Sequence, residues 1–250
     1  MNAYEPSRYG RVVGDRYDDY YPADAFDTDA AVAALSQLIA VRPARAFVEF
    51  GIGTGRLAIP LAQRGFQVAG IDASEAMVAQ LRAKPGGEAI DVGLGDYRTT
   101  RVQGHFSVVA LVFNNIFDPR GYAAQLDLFR NAAAHLEPGG CFVIEAFVLG
   151  EAQRSGDWFV SPRFVADDRV ELQLGRYDVA TNRLERTLVQ VSSEGTEMFS
   201  VVDSYAAPGE IDVMAEVTGF RRQARWANWS GETFTATSSK HISVYEFDAA

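Results

Sequence analysis

The chain has one cysteine, three histidines and fewer basic than acidic side chains, and each shortage argues against a class of protein. The single thiol, Cys141, cannot form an internal disulfide, and its place at the start of an apolar run favours a buried packing role over a nucleophilic one. Three scattered histidines give no cluster with the spacing of zinc ligands, so we expect no metal. The formal net charge of -10 disfavours a nucleic-acid partner, because a polyanion is bound by a basic surface.

Long apolar runs are also missing from the sequence. The sequence contains no stretch of about 18 apolar residues, the length that a membrane-spanning helix needs. The N-terminus has no basic segment that leads into an apolar one. We therefore expect no membrane partner, no signal peptide and a cytoplasmic location. With 250 residues, of which 48% are hydrophobic, the chain is long enough for one sizeable core.

What the sequence does contain is a glycine-rich turn after an apolar run. Residues 49–55 read Glu-Phe-Gly-Ile-Gly-Thr-Gly, and Gly51, Gly53 and Gly55 would let the backbone approach a ligand closely. About 20 residues further on, a second apolar run ends at Asp72, where a carboxylate can accept both hydroxyls of a cofactor ribose. The combination predicts an adenosine-containing cofactor.

The spacing of the glycines separates two kinds of cofactor. A dinucleotide site needs a glycine where this chain has Arg56, which makes a nicotinamide-dependent oxidoreductase the weaker interpretation. The pattern acid-x-Gly-x-Gly-x-Gly instead resembles the first motif of the class I S-adenosylmethionine-dependent methyltransferases. Residues 94–97, 106–115 and 136–144 resemble later motifs of that family and follow in the same order. Ser107 departs from the family, in which an acid often stands at that position.

The resemblance implies an α/β fold with a doubly wound seven-stranded sheet whose seventh strand is antiparallel. It also implies a single domain over residues 1–250, in the small-molecule, natural-product branch of the family. Its expected parts are an N-terminal helical lid (1–44), a cofactor-binding core (45–150 and 207–250) and a small inserted antiparallel β cap (151–206).

Hydrophobic periodicity places further elements in these parts. Alternation with period two predicts three cap strands, over 169–178, 183–191 and 197–205. A helix is predicted over 29–39, and the last two core strands over 221–227 and 242–247. An exposed face of the cap would support a homodimer.

The resemblance further implies S-adenosylmethionine as the cofactor and S-adenosylhomocysteine as its product. Glu49 and the glycines are expected near the methionine portion, Asp72 at the ribose and Asp96 at the adenine, and a tyrosine of the lid is expected to reach the methionine carboxylate. The full set of expected cofactor contacts is Tyr17, Tyr21, Glu49, Gly51, Gly53, Gly55, Asp72, Ala73, Asp96, Tyr97 and Phe113.

Three side chains are candidates for taking a proton from the methyl acceptor: Tyr20, Asp118 and His241. Related N-methyltransferases can carry a histidine just after the fourth strand, where this chain reads Asn-Asn-Ile-Phe-Asp over 114–118. An antiparallel seventh strand would begin at the ligand-binding edge of the sheet and so place His241 there. The residues expected around the acceptor are Asn114, Phe117, Trp158, Phe159 and Trp229.

Abundant aromatic residues in the lid, the cap and the sixth-strand loop favour an electron-rich aromatic acceptor such as an indole, methylated at carbon or nitrogen in secondary metabolism. Methylation of an amine or amino-sugar nitrogen is the alternative. A non-catalytic S-adenosylmethionine-binding protein is the second alternative, because a fold alone does not establish an activity.

Overall fold

The computed structural model describes residues 17–20 and 27–248, without the side chains of Asp19, Tyr20 and Ala152. Within these residues seven strands form one sheet. In chain order they are β1 (Ala46–Phe50), β2 (Gln67–Asp72), β3 (Asp91–Leu94), β4 (Phe106–Leu111), β5 (Leu136–Phe147), β10 (Phe220–Trp226) and β11 (Lys240–Phe247).

The order across the sheet is β10-β11-β5-β4-β1-β2-β3. Strands β1 to β5 pair in parallel, whereas β11 runs antiparallel to both β5 and β10. The predicted seven-stranded sheet with an antiparallel last strand is confirmed. The strand order reverses between β4 and β1, and in doubly wound sheets ligands bind at the carboxyl ends of the strands beside such a point.

Helices cover both faces of this sheet. They are α1 (Tyr17–Tyr20), α2 (Thr28–Ala40), α3 (Ala58–Gln63), α4 (Glu75–Ala83), α5 (Tyr122–His135), α6 (Glu151–Arg154) and α7 (Pro208–Glu216). Helix α2 packs Ala31, Val32, Leu35 and Ile39 against β1, β4 and β5. The opposite face carries α5 and α7, with Phe129 and Ile211 in its core cluster. Every residue of β1 and β4 is therefore buried, as expected for central parallel strands whose sequences are mostly apolar.

The cap forms a second, antiparallel sheet in the order β6-β7-β8-β9. Its strands are β6 (Phe159–Val165), β7 (Arg169–Asp178), β8 (Arg183–Ser192) and β9 (Gly195–Ser204). We predicted three cap strands, but the cap has four. Strand β6 was missed because it lacks period-two alternation and contains Pro162. Proline is tolerated there because β6 is an edge strand.

Candidate functional site

The glycine-rich turn follows β1 directly and lies beside the end of β2. The backbone amides of Gly51 and Ile52 donate to the Ile71 carbonyl at 2.7 and 3.1 Å, which ties the turn to β2. Gly51, Gly53 and Gly55 have φ angles of 75°, 55° and 85°, in the left-handed region that favours glycine. The turn is thus built where the sequence predicts it.

Asp72 braces this turn from the end of β2. Its Oδ2 accepts the Gly53 amide at 2.8 Å, and its Oδ1 accepts the Ser74 amide at the start of α4 at 2.9 Å. Burial raises the pKa of Asp72, and the amides of Ser74, Gly53 and Ala73 oppose that shift. A carboxylate has about four acceptor positions, so Asp72 keeps capacity for further hydroxyl groups.

Asp96 follows β3 and is held by two arginines. Its Oδ2 accepts from Arg120 at 2.6 Å and from Arg98 Nε at 3.2 Å. Burial acts to raise the pKa of Asp96, but the hydrogen bonds from Arg120 and Arg98 outweigh it and the net pKa is lowered. Asp96 is therefore an ion-paired carboxylate in this structure, at the place where the sequence predicts an adenine contact.

Asp118 belongs to the same ionic cluster. Its side chain is 0% exposed and lies within 4.0 Å of Arg98, while Arg120 Nε donates to its Oδ1 at 2.8 Å. Arg120 thus occupies both oxygens of the Asp118 carboxylate. The structure thus brings Asp96 and Asp118 together through Arg120, an arrangement that disfavours Asp118 as the proton acceptor.

The chain after β4 is fixed to β5 by polar contacts. Phe113 and Asn114 have φ angles of 59° and 68°, a conformation that non-glycine residues adopt rarely and often at functional sites. The Phe113 amide donates to Glu145 Oε2 at 3.2 Å, and the Asn114 amide donates to the Glu145 carbonyl at 3.1 Å. Asn114 Oδ1 accepts the Phe147 amide at 2.8 Å. Asn114 therefore braces two strand ends.

Tyr97 and Asn115 close over the first glycine. A Cβ on Gly51 would lie 2.8 Å from Asn115 Nδ2 and 3.6 Å from the Tyr97 ring. The Tyr97 ring is stacked on Phe50, with centroids 6.5 Å apart and an interplanar angle of 7°. Both side chains thus lie beside the turn, and only glycine fits at position 51.

Glu49 is buried at the end of β1 with an unusual environment. Burial raises its pKa to about 8, and the positive charge of Arg56 opposes the shift while Asp72 and Glu145 add to it. Among the described residues, no donor contacts Glu49 Oε2. A buried acid with an oxygen that no donor contacts is costly, which marks a place where a cation would be stabilised.

His241 stands at the head of β11, at the predicted edge of the sheet, but it is fully buried. Its Nδ1 contacts Ser243 Oγ at 2.8 Å, and no partner of Nε2 is found in the described part of the chain. Burial, followed by the charge of Arg225, lowers the pKa of His241 to about 3. The ring is neutral near pH 7 and packs edge-on against Phe234, an environment that disfavours proton uptake.

The predicted acceptor aromatics are not gathered at the turn. Phe117 is buried between Phe147 and Tyr205, with centroid distances of 4.7 and 5.1 Å. Trp229 is buried and donates its indole N–H to Glu145 Oε1 at 3.0 Å. Phe159 lies over Gly175 within the cap, and Trp158 is 64% exposed beside it.

Two predictions about the lid tyrosines cannot be placed. Tyr21 and the side chain of Tyr20 lie outside the described residues. Tyr17 is half-buried in α1, next to Asp18, whose carboxylate accepts the Thr54 hydroxyl of the glycine-rich turn at 2.7 Å. Helix α1 therefore lies against the turn.

Comparison with known proteins was consistent with this geometry. Residues 47–140 match the model of a family described as a methyltransferase domain. The structure is similar to that of the CcbJ methyltransferase from Streptomyces caelestis, with 33% sequence identity, a TM-score of 0.87 and coverage of 98% of this chain and 100% of the other. The chain belongs to the S-adenosylmethionine-dependent methyltransferases.

This methyltransferase shares its fold with two further enzymes. The sugar N-methyltransferase KedS8 from Streptoalloteichus sp ATCC 53650 has a TM-score of 0.68, 21% identity and 99% coverage of both chains. The amino pentose methyltransferase CalS10 from Micromonospora echinaspora has a TM-score of 0.65, 23% identity and 98% coverage of both chains. A comparison with curated protein sequences gave no match.

The cofactor is S-adenosylmethionine, and the residues of the turn fit it. A Cβ on Gly53 would meet no atom within 4 Å, so open space lies directly over the turn. Asp72 keeps acceptor capacity beside that space, and the buried Glu49, whose Oε2 has no donor among the described residues, suits a ligand that carries sulfonium and ammonium charges.

Two kinds of feature are absent from the described residues. Residues 17–20 and 27–248 contain no group of three or more His, Cys, Asp or Glu side chains placed to hold a metal ion. No helix in these ranges is long and apolar enough to cross a membrane.

Three residues of the site were missed by sequence reasoning: Asn115, Arg120 and Glu145. Glu145 carried a usable signal, since it is a charged residue inside the apolar run of β5. Arg120 carried none, because its partners Asp96 and Asp118 come from two separate loops that meet only in the folded sheet.

Proposed function

We propose that this small-molecule methyltransferase transfers the cofactor's methyl group to the nitrogen of an amine, of the kind that amino sugars carry. The observation that carries the proposal is the polar character of the sheet edge beside the turn. Glu49 and Asn115 lie at the turn, and Asn114 and Glu145 join the chain after β4 to β5. Phe117 is instead buried among aromatic rings, and the buried Trp229 is bonded to Glu145. Acidic and amide groups suit an ammonium or hydroxyl-rich acceptor better than a planar apolar ring.

The shared fold gives this proposal further support. The similar proteins include enzymes described as a sugar N-methyltransferase and an amino pentose methyltransferase. Their identity with this chain is below 25%, so they support the acceptor class only as an analogy.

Bound S-adenosylmethionine supplies a methyl group on a sulfonium, which is already activated toward a nucleophile. We propose that Asp72 and Ala73 hold the ribose, that Tyr97 and Asp96 flank the adenine, and that Glu49 and the glycines lie near the methionine portion. Phe113 and Tyr17 or Tyr21 would complete the cofactor contacts. The protein's main contribution is then to align the acceptor nitrogen and to exclude water.

An ammonium acceptor must lose a proton before its nitrogen can attack. Of the three candidate proton acceptors we retain Tyr20, because Asp118 is paired with Arg120 and His241 is buried at the edge. Asn114 and the cap residues Trp158 and Phe159 remain the proposed neighbours of the acceptor.

An electron-rich ring such as an indole is the second candidate. The observation that favours it is the exposed Trp158 on the cap, together with the half-buried Tyr97 beside the turn. Either ring offers an aromatic face on which a planar acceptor would stack.

The test is transfer of a labelled methyl group from S-adenosylmethionine to a panel of amino sugars, simple amines and indoles, with the products identified by mass spectrometry. Label on an amine nitrogen is the expected result, and label on an indole would overturn it in favour of the second candidate. The variant Asp72→Asn tests the cofactor site separately from the acceptor. It should weaken cofactor binding by about 1 to 3 kcal/mol through its lost charged hydrogen bonds, which calorimetry measures, and unchanged affinity would remove Asp72 from the site.

A further inference from the structure

Helix α1 is joined to the cofactor turn by three residues that all contact one another, which we call the latch: Asp18, Thr54 and Lys84. Asp18 Oδ1 accepts the Thr54 hydroxyl at 2.7 Å, and Asp18 Oδ2 pairs with Lys84 Nζ at 2.6 Å. Lys84 Nζ also donates to the Thr54 carbonyl at 3.0 Å. The latch thus connects α1, the glycine-rich turn and the residue that ends α4.

The position of Thr54 relates the latch to the cofactor. Thr54 stands between Gly53 and Gly55 and is 2% exposed. Both of its polar groups, the hydroxyl and the carbonyl, are engaged by the latch. A change in the latch therefore acts directly on the turn that faces the open space above Gly53.

The ion pair between Asp18 and Lys84 is weak enough for α1 to bind the turn reversibly. The Asp18 and Lys84 side chains are 46% and 36% exposed, so their ion pair is weakened by solvent and by salt. Elements that open during turnover are drawn from the weakly held parts of a fold. A contact of this strength can hold α1 in place and still release it.

We propose that Asp18 and Lys84 are positioning residues that hold α1 over the cofactor turn and thereby slow the release of S-adenosylhomocysteine. Helix α1 carries Tyr17, so the latch also holds the backbone of this tyrosine beside the turn. The inference rests on the proposed cofactor contacts of the glycine-rich turn and is independent of the acceptor's identity.

The experiment measures S-adenosylhomocysteine dissociation from the full chain by stopped-flow displacement, for the wild type, Asp18→Asn and Lys84→Gln. Loss of this partly exposed ion pair should speed release about 2- to 5-fold, with little change in the association rate. The matched control is Asp29→Asn, which removes the same charge from an exposed position on α2. It should release at the wild-type rate.

Two readouts separate positioning from a general loss of structure. The double variant Asp18→Asn with Lys84→Gln should release S-adenosylhomocysteine about as fast as the faster single variant, because each change alone already removes the shared ion pair. Added salt should speed release in the wild type but not in Asp18→Asn. Asp18→Asn with the same release rate as Asp29→Asn would overturn the proposal. A wild-type protein that binds no S-adenosylhomocysteine would instead overturn the cofactor contacts on which the proposal rests.

Discussion

At the scale of single residues, Asp118 shows how strongly the site depends on one ion pair. Its carboxylate is buried, with Arg120 bonded to it and Arg98 at 4.0 Å. Replacing Arg120 by leucine leaves that charge without its main partner, which should destabilise the fold by about 3 kcal/mol. Urea denaturation measures the change. Arg130→Leu is the control, because its pair with Asp127 is exposed and should cost less than about 1 kcal/mol. Equal losses in the two variants would contradict this account.

A second residue-scale prediction concerns pH and His241. Burial and Arg225 lower its pKa from 6.5 to about 3, so the unfolded chain takes up a proton at a pH where the folded chain does not. The stabilisation is complete above about pH 6.5 and is lost as the pH falls toward 3. The free energy of unfolding should therefore fall with pH more steeply in the wild type than in His241→Gln. The difference between the two slopes cancels the contributions of groups that titrate in both proteins, such as Glu49. His105→Gln, at an exposed position, should keep the wild-type slope.

At the scale of elements, the success of sequence reasoning followed the strength of each local signal. Strand β7 lies over Arg169–Asp178, as its alternation predicts, and α2 extends the predicted helix by one residue at each end. Strand β6 was missed because its partner β7 stabilises it without help from its own pattern. Strand β5 begins at Leu136, before the apolar run that starts at Cys141. Leu136 already pairs with Phe106 of β4, and the register then shifts so that Cys141 pairs with Val108. Tertiary pairing decided both cases.

The pairing of β6 with β7 gives the element-scale prediction. Phe159 lies directly opposite Gly175, and a Cβ on Gly175 would overlap the Phe159 ring. Gly175→Ala should displace β6 and destabilise the fold by about 1 to 3 kcal/mol, as overpacking does. The urea midpoint measures the loss. Gly209→Ala is the control, because a Cβ there meets no atom within 4 Å and alanine favours the first turn of α7. A midpoint for Gly175→Ala at or above that of Gly209→Ala would contradict the contact.

At the scale of the whole molecule, the candidate site combines residues that a local motif predicts with contacts that form only when distant loops meet. The glycines and Asp72 could be predicted, because a local motif determines their backbone and their distance from the next strand. The contacts of Asp96, Asp118 and Arg120 could not, since they depend on how the loops after β3 and β4 meet. The burial of Trp229 and Phe117 could not be predicted for the same reason: a sequence shows an aromatic residue but not which core takes it in.

The cap and the seven-stranded sheet share one hydrophobic core. Tyr177, Leu184 and Tyr205 of the cap region lie in the same core cluster as Phe142 of the sheet, and the Tyr205 hydroxyl accepts the Leu149 amide at 3.2 Å. We therefore expect the cap and the sheet to unfold together as one domain.

Tyr205→Ala should remove about 3 to 5 kcal/mol of stability from both parts, because it empties a space at their junction. Hydrogen exchange followed by mass spectrometry tests this, by comparing the slowest amides of β7 and β8 with those of β4 and β5. Val165→Ala, on the exposed side of β6, is the control and should change neither set by more than about 0.5 kcal/mol. Loss of protection confined to β7 and β8 would mean that the cap is a separate folding unit, because the sheet would then keep its stability without the junction that Tyr205 fills.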